Sequence, residues 1–408
     1  MTNDTHNEKS DLTQTATKVN LKTGVAGILI FGGVVLLYQL VWIFLEGAGA
    51  RIYDRVLQQL DYLPLLVAEH PEKKKVIVFG SSMVQAGFDP LLFDELMEDK
   101  NNDVVSYNYG IGNMNPEFQD LISRRIKEQF ISQDKKLDLA IIEFNPFQTT
   151  TVRKISTKAI DEQNIAVLSN NKELWQHTLQ DPTMGIRLFT IRYLRRGVSA
   201  ELFTAIPSMI NSDDSPVLQS AEYKDERQKR SELEDLFYSS FAKDVPNREN
   251  LGWDPATRGA RLNKTHLSDQ SLVHLDNLMH SFRYRGFMEA DLVRRINTSD
   301  ILELGFDDAL IESFINIVEN FQAFSDHVEV VMLPRNTDWV QYSPEVQARL
   351  DNLFNNIGTR TGASLRNFQT HPAITPEHFR DTTHLSSYDG VDIFTKILVD
   401  EYGDLLSD

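Results

Sequence analysis

Residues 73–83 read KKKVIVFGSSM: three lysines, an apolar run, then glycine, two serines and a methionine. Val76, Ile77, Val78 and Phe79 show no polar alternation, so both faces of the segment are expected to be buried, as in a central parallel strand. Gly80, Ser81 and Ser82 follow where such a strand turns into a helix, expected at 90–97. Further strands fit 104–107, 138–144 (DLAIIEF), 327–334 (HVEVVMLP) and, more weakly, 363–368. Between them Pro116 opens a helix with Phe118, Leu121, Ile122, Ile126 and Phe130 on one face. Ser343 caps another, with Pro344 first, Val346, Leu350, Leu353 and Ile357 on one face, and Gly358 as its stop. An amphipathic helix at 391–402 closes the pattern. Strand and helix in alternation predict an α/β fold, a flavodoxin-like three-layer doubly wound parallel sheet.

That rhythm lapses between 151 and 324. The stretch KDERQKRSELEDLF at 224–237 reads as a solvated helix face, and 301–324 repeats apolar residues at helical intervals. The sheet domain is therefore expected from two segments, 73–150 and 325–408, flanking a helical insertion at 151–324. Within the insertion, Gly252-Trp253-Asp254 and Thr257-Arg258-Gly259 read either as a sugar contact or as a loop packed over the sheet.

Upstream, residues 24–45 (GVAGILIFGGVVLLYQLVWIFL) carry no charge. As a helix they reach about 33 Å, enough for a bilayer core of roughly 30 Å. The segment is read as an uncleaved transmembrane helix. A secretory signal cleaved near Ala48-Gly49-Ala50 and a buried core helix are the competing readings. Lys18 and Lys22 before the span balance Arg51 and Arg55 after it, so charge does not orient it. The polar 1–23 tail is expected to be disordered and cytoplasmic, with the large domain extracytoplasmic. The 46–72 connector is amphipathic through Ile52, Val56, Leu60 and Leu63, and Pro64 is expected to end its helix.

Among 408 residues, 59 acidic and 41 basic side chains leave a formal net charge of −18. Phosphate binding needs a positive surface, so no nucleic-acid partner is expected. The absence of cysteine excludes disulfides, thiolate metal sites and a cysteine nucleophile. No cofactor is expected.

Three stretches fall where an open α/β sheet binds ligands, beyond the carboxyl ends of its strands. Gly80-Ser81-Ser82 puts a serine there, although the same tripeptide serves as a capped strand-to-helix turn. Asp381-Thr-Thr-His384 offers a base to take a serine proton and an acid to hold the base's tautomer, although it also fits a capping turn. His371, His378 and His384 with Asp381 match no compact metal motif, and no metal is expected. Asn108-Tyr-Gly110-Ile-Gly112-Asn113 and Asn145 could aim donors at an oxyanion, or simply supply turn conformations.

In this order, strand-G-S-S, strand-N-x-G-x-G, strand-x-F-N and a late D-x-x-H, the chain resembles the SGNH (GDSL-like) hydrolase superfamily over residues 73–150 and 325–405. The resemblance implies Ser82 as nucleophile, Asp381 and His384 as its acid and base, and Gly112 or Asn113 with Asn145 at the oxyanion hole. G-S-S replaces the usual G-D-S, and E-F-N-P replaces G-x-N-D. With F-D-P at 88–90 and an N-terminal anchor, the chain looks more like the membrane-anchored branch of DltD and the alginate O-acetylation (AlgJ/AlgX-like) proteins. That branch implies a serine esterase or O-acyltransferase acting on acyl, chiefly O-acetyl, esters of a cell-envelope polysaccharide or related polymer. It also implies residence in the bacterial cytoplasmic membrane beside a membrane-bound O-acyltransferase. The alternative is a non-catalytic tether that binds polymer or recruits that enzyme.

Overall fold

The computed structural model describes residues 21–45, 51–112, 114–194, 220–246, 248 and 254–407. The expected tail at 1–20, Asn113, Gly252 and Trp253 lie outside the described residues. Five strands, β1 (Lys74–Gly80), β2 (Val104–Gly110), β3 (Leu137–Glu143), β4 (Ser325–Met332) and β5 (Ser364–Asn367), form one sheet. Every pairing is parallel and the order is β2-β1-β3-β4-β5, the doubly wound arrangement with its switch point between β1 and β3. Leu139, Ala140, Ile141 and Ile142 are fully buried, and Val76 to Phe79 nearly so, which explains their unalternating apolar runs. Full burial of each large aliphatic side chain contributes about 1.5–3 kcal/mol.

The main chain of helices begins with α1 (Leu21–Leu45) and α2 (Arg51–Glu69). The sheet is wrapped by α3 (Ser82–Gly87), α4 (Pro90–Asp99) and α5 (Pro116–Ser132). Next come α6 (Thr151–Leu168), α7 (Asn171–Gln180), α8 (Pro182–Leu194), α9 (Ala221–Asp244), α10 (Asp269–Ser281) and α11 (Arg285–Ser299). The chain returns to the sheet with α12 (Asp308–Gln322), α13 (Pro344–Thr361) and α14 (Gly390–Tyr402). Helices α3, α4 and α14 pack together, as do α5, α12 and α13. The general right-handedness of parallel crossovers puts these groups on opposite faces of the sheet.

Helix α12 falls inside the 151–324 stretch yet packs against α5 and β4 as the crossover into β4. Residues Ile165, Ala166, Leu174 and Leu188 of α6–α8 join the main core, whereas α9 and α10 enclose a second one around Phe237, Phe241 and Leu275.

Three local expectations are corrected. Helix α2 runs through Pro64 to Glu69, because Leu60, Leu63, Leu66 and Val67 are all buried and their packing outweighs the missing backbone donor. Helix α13 runs past Gly358; its left-handed terminator is Gly362, at φ 70°. Strand β2 extends through Asn108 to Gly110, which read as a turn. Asn108 is tolerated in the strand because its Nδ2 donates to the Val84 and Phe88 carbonyls and its Oδ1 accepts from Gly110 N. Its backbone N–H donates to Arg258 O at 2.9 Å, so the 257–259 loop covers this edge of the sheet. Gly259, at φ +87°, presses directly on the Asn108 carbonyl.

Helix α1 is continuous over 25 residues, and Ile28, Leu29, Phe31 and Leu36 on it are exposed. Among the described residues no helix is long and apolar enough to cross a membrane. In α1 the described side chains cover only 24–37.

Two glycines separate close approach from backbone strain. A Cβ at Gly110 would collide with the Gln85 backbone in α3, whereas nothing lies within 4 Å of one at Gly362. Gly362→Ala is expected to lower stability by about 1–2 kcal/mol through its left-handed backbone. Gly110→Ala should cost more than about 2 kcal/mol, because backbone must move. Denaturant unfolding of both variants checks the ranking, and an equal loss would refute it.

Candidate active site

The turn after β1 separates the two serines. Ser81 is fully buried as the N-cap of α3, its Oγ accepting from Met83 N at 3.1 Å. That hydroxyl donates to Glu143 Oε1 at 3.0 Å and accepts from Asn145 Nδ2, also at 3.0 Å. The Ser81 backbone N–H donates to Glu143 Oε2 at 2.6 Å. Ser82, at the first position of α3, is left facing a cavity at the carboxyl edge of the sheet. Its Oγ lies 2.7 Å from His384 Nε2.

The turn before α14 holds that histidine. Asp381 Oδ1 accepts from Thr383 N at 2.9 Å and His384 N at 2.8 Å, so the carboxylate shapes the turn. Its Oδ2 meets His384 Nδ1 at 2.8 Å. Both readings of this tetrapeptide therefore hold in one residue: Asp381 caps the turn and orients the ring.

Burial pushes the His384 ring down to about 4; Asp381 opposes this, and Arg380 and Arg295 add to it. Burial alone would raise the Asp381 carboxyl, but the His384 ring, Arg295 and Arg380 hold it well below the usual range. The pair is thus a carboxylate and a neutral imidazole near pH 7, the state in which Nε2 can accept a proton.

The remaining candidates meet the cavity unequally. It measures about 210 Å³, and its walls include Ser82, Gly112, Asn145, Phe147 and His384. Gly112 lies against the nucleophile side of the turn, where an added Cβ would come within 3.3 Å of Ser82 Cβ. Asn145 reaches the cavity but its amide is engaged: Nδ2 donates to Ser81 Oγ and contacts Met83 Sδ at 3.5 Å, and Oδ1 accepts from Phe147 N. His371 and His378 are not drawn in; each ring Nδ1 accepts from a nearby backbone N–H, of Ala373 and Thr375. Among the described residues no group of three or more potential ligands could hold a metal ion.

Sequence reasoning missed the contribution of the insertion. Asp291 of α11 accepts from Thr382 N at 3.3 Å and also bonds Thr382 Oγ1, pinning the 381–384 turn. Arg295 donates to Asp291 Oδ2 at 2.7 Å and sets Nη2 3.5 Å from Asp381 Oδ1. Arg153, Arg261, Arg294 and Arg295 all line the cavity. The signal in sequence, Asp291-Leu-Val-Arg294-Arg295, does not differ from an ion-paired helix surface.

Glu143 was also missed. Burial raises its carboxyl from 4.5 to about 7, against the lowering effect of its bonds from Ser81 and Asn145. A folded pKa above the unfolded value gives stability that is complete below about pH 4.5 and is lost as pH rises through 7. That difference corresponds to roughly 3 kcal/mol. Glu143→Gln, which cannot ionise, should lack this decline. Unfolding free energies of the two proteins from pH 4.5 to 8 check it, and parallel curves would refute it.

No family model and no curated protein matches the chain. Among solved structures it is similar to one described as "a putative arylesterase" from Agrobacterium tumefaciens, at 11% identity and a TM-score of 0.28. The alignment covers 81% of this chain and 99% of that one. A likeness at that level carries no argument about fold or activity.

Proposed function

We propose that the protein is a serine esterase or O-acyltransferase in which Ser82 is the nucleophile, His384 the base and Asp381 the residue that orients it. The observation that carries this reading is the 2.7 Å contact of Ser82 Oγ with His384 Nε2, continued at 2.8 Å from Nδ1 to Asp381. Ser82 Oγ attacks the ester carbonyl while its proton passes to Nε2. The developing oxyanion is met by backbone N–H near Gly112 and by the Asn145 amide, which exchanges its weak sulfur contact for the charge. His384 then gives the proton to the departing alkoxide oxygen, the ester C–O bond breaks, and the acyl group stays on Ser82. Water or a sugar hydroxyl then attacks the acyl carbonyl as its proton passes to His384, the bond from the acyl carbon to Oγ breaks, and His384 returns the proton to Ser82.

A cavity of about 210 Å³ with an arginine-bearing wall favours a short acyl group such as acetyl. The proposed substrate is thus an O-acetyl ester of a cell-envelope polysaccharide. The 24–45 segment would anchor the domain on the extracytoplasmic face, beside a membrane-bound O-acyltransferase. Supporting the anchor, α1 is one helix of 25 residues whose apolar side chains Ile28, Leu29 and Phe31 are largely exposed.

A fluorophosphonate probe should label the native protein and fail on Ser82→Ala. Hydrolysis of a simple aryl acetate should fall by about 10³-fold or more in Ser82→Ala and His384→Ala, with folding retained by circular dichroism. No labelling of the native protein would favour the tether instead, and labelling that survives Ser82→Ala would refute Ser82 as the nucleophile.

The pH profile supplies a separate check. Activity needs the neutral imidazole, so kcat/KM should rise with pH through the His384 titration. With burial as the largest cause of its lowered pKa, the acid limb should lie well below 6.5, near 4. A midpoint at or above 6.5 would contradict a buried, neutral base.

A further inference from the structure

The residue that follows the proposed nucleophile has chemistry that the ester reaction leaves unused. Met83 stands next to Ser82 in the first turn of α3 and forms part of the cavity wall. Its Sδ is 3.5 Å from Asn145 Nδ2, whose other partner, Ser81 Oγ, is at 3.0 Å. An amide nitrogen carries two hydrogens, so one is held by Ser81 and the second rests on the thioether, a weak acceptor. That second hydrogen is the one the proposed mechanism turns towards the oxyanion.

Sulfur at this place is open to oxidation. The chain has nine methionines and no cysteine, so no thiol competes for an oxidant. Met1 and Met209 lie outside the described residues. Met97, Met114, Met279, Met288 and Met332 are buried away from the cavity wall, and Met184, partly exposed, belongs to α8. Met83 is itself only 7% exposed, but it is the one described methionine that borders the cavity of about 210 Å³. Such a space admits molecules as small as water or hydrogen peroxide.

We infer that Met83 is an oxidation site, at which a peroxide converts the thioether to a sulfoxide that captures the Asn145 amide and shuts the ester chemistry off. The sulfur lone pair attacks one peroxide oxygen, the O–O bond breaks and an S–O bond forms. Sulfur gives up two electrons, the peroxide is reduced, and its second oxygen leaves as water with both protons. The sulfoxide oxygen is a strong acceptor set beside the second Nδ2 hydrogen, where the thioether was a weak one. Asn145 then has both hydrogens engaged and none for the oxyanion. The partly negative sulfoxide oxygen also stands close to where negative charge must develop, which raises the barrier further. This deepens the proposed function and rests on Ser82 as nucleophile and Asn145 as a donor.

The test treats the native protein with hydrogen peroxide, removes it, assays an aryl acetate and maps methionine oxidation by peptide mass spectrometry. In step with oxidation at Met83, kcat is expected to fall by about 10-fold or more with KM little changed, the effect of losing an oxyanion donor. Met83→Leu, which has no sulfur there, should keep its own untreated activity through the same exposure. Met184→Leu should lose activity as the native protein does. A loss in Met83→Leu as large as the native one would overturn the proposal. So would full activity with Met83 oxidised, or lost activity with Met83 intact. If Met83→Leu does not fold, the native time course decides alone: oxidation of Met83 and loss of kcat on one curve supports the site, and separate curves overturn it. An untreated native protein that hydrolyses no ester defeats the nucleophile reading instead. The oxidation site is then judged by mass alone: Met83 oxidised ahead of the five buried methionines supports it, and Met83 oxidised no faster than they are overturns it.

Discussion

A single buried carboxylate sets the geometry on which the site depends. Glu143 ends β3 directly beside Gly80, the last residue of β1, and takes both the backbone N–H and the hydroxyl of Ser81. Any side chain at residue 80 would collide with Glu143, so the glycine is required by close approach rather than by an unusual φ. With Ser81 consumed by Glu143, Asn145 and the α3 cap, the next residue must start the helix with its side chain turned outward. Ser82 is free to meet a base because Ser81 is not. The switch point between β1 and β3 thus becomes a rigid corner, built from hydrogen bonds that water cannot reach.

The insertion supplies what the sheet lacks. A parallel sheet edge positions residues at strand ends but leaves the space above them open. Here α6 and α11 close part of it and are themselves tied together: Thr150 Oγ1 donates to Ser299 O at 2.9 Å, and Ser156 Oγ to Thr298 O at 2.7 Å. Through Asp291, α11 also grips Thr382. One helix therefore both walls the cavity and braces the turn carrying His384, so the insertion and the sheet domain share one site.

Legibility in the sequence followed the range of the interactions involved. Buried strands announced themselves, because Val76 to Phe79 and Leu139 to Ile142 must be apolar on both faces whatever surrounds them. The extension of β2 through Asn108 was hidden, since a strand asparagine is affordable only with the Val84 and Phe88 carbonyls and the 258 backbone brought in from elsewhere. Helix α2 misled in the same way: Pro64 is a local breaker overruled by distant packing. At the site, Asp381 and His384 were legible as one local turn, and Ser82 as the residue after a strand and its cap. Glu143, Arg153 and Arg295 were not, because each looks ordinary until a partner from another part of the chain is placed beside it. Asn145 was singled out as a donor, yet the structure engages its amide with Ser81, a pairing no spacing in the sequence announces.

Proton positions at the Ser82–His384–Asp381 chain follow from charge alone. Two guanidiniums and the ring itself keep Asp381 ionised, so its oxygens can only accept. The 2.8 Å contact with Nδ1 then requires the proton to sit on that nitrogen. Burial and the same two cations keep the imidazole neutral, so Nε2 carries no proton. The 2.7 Å contact to Ser82 therefore requires the hydroxyl to be the donor. The Asp381 contact outweighs the longer 3.3 Å approach of Arg295 Nη2 to the same Nδ1, and in this tautomer the serine proton points at its acceptor. The cations that lower the basicity of His384 are thus the ones that fix its tautomer through Asp381. Base strength is exchanged for a base that is always in the correct form, a trade that general-base catalysis near neutral pH tolerates because availability and strength contribute jointly.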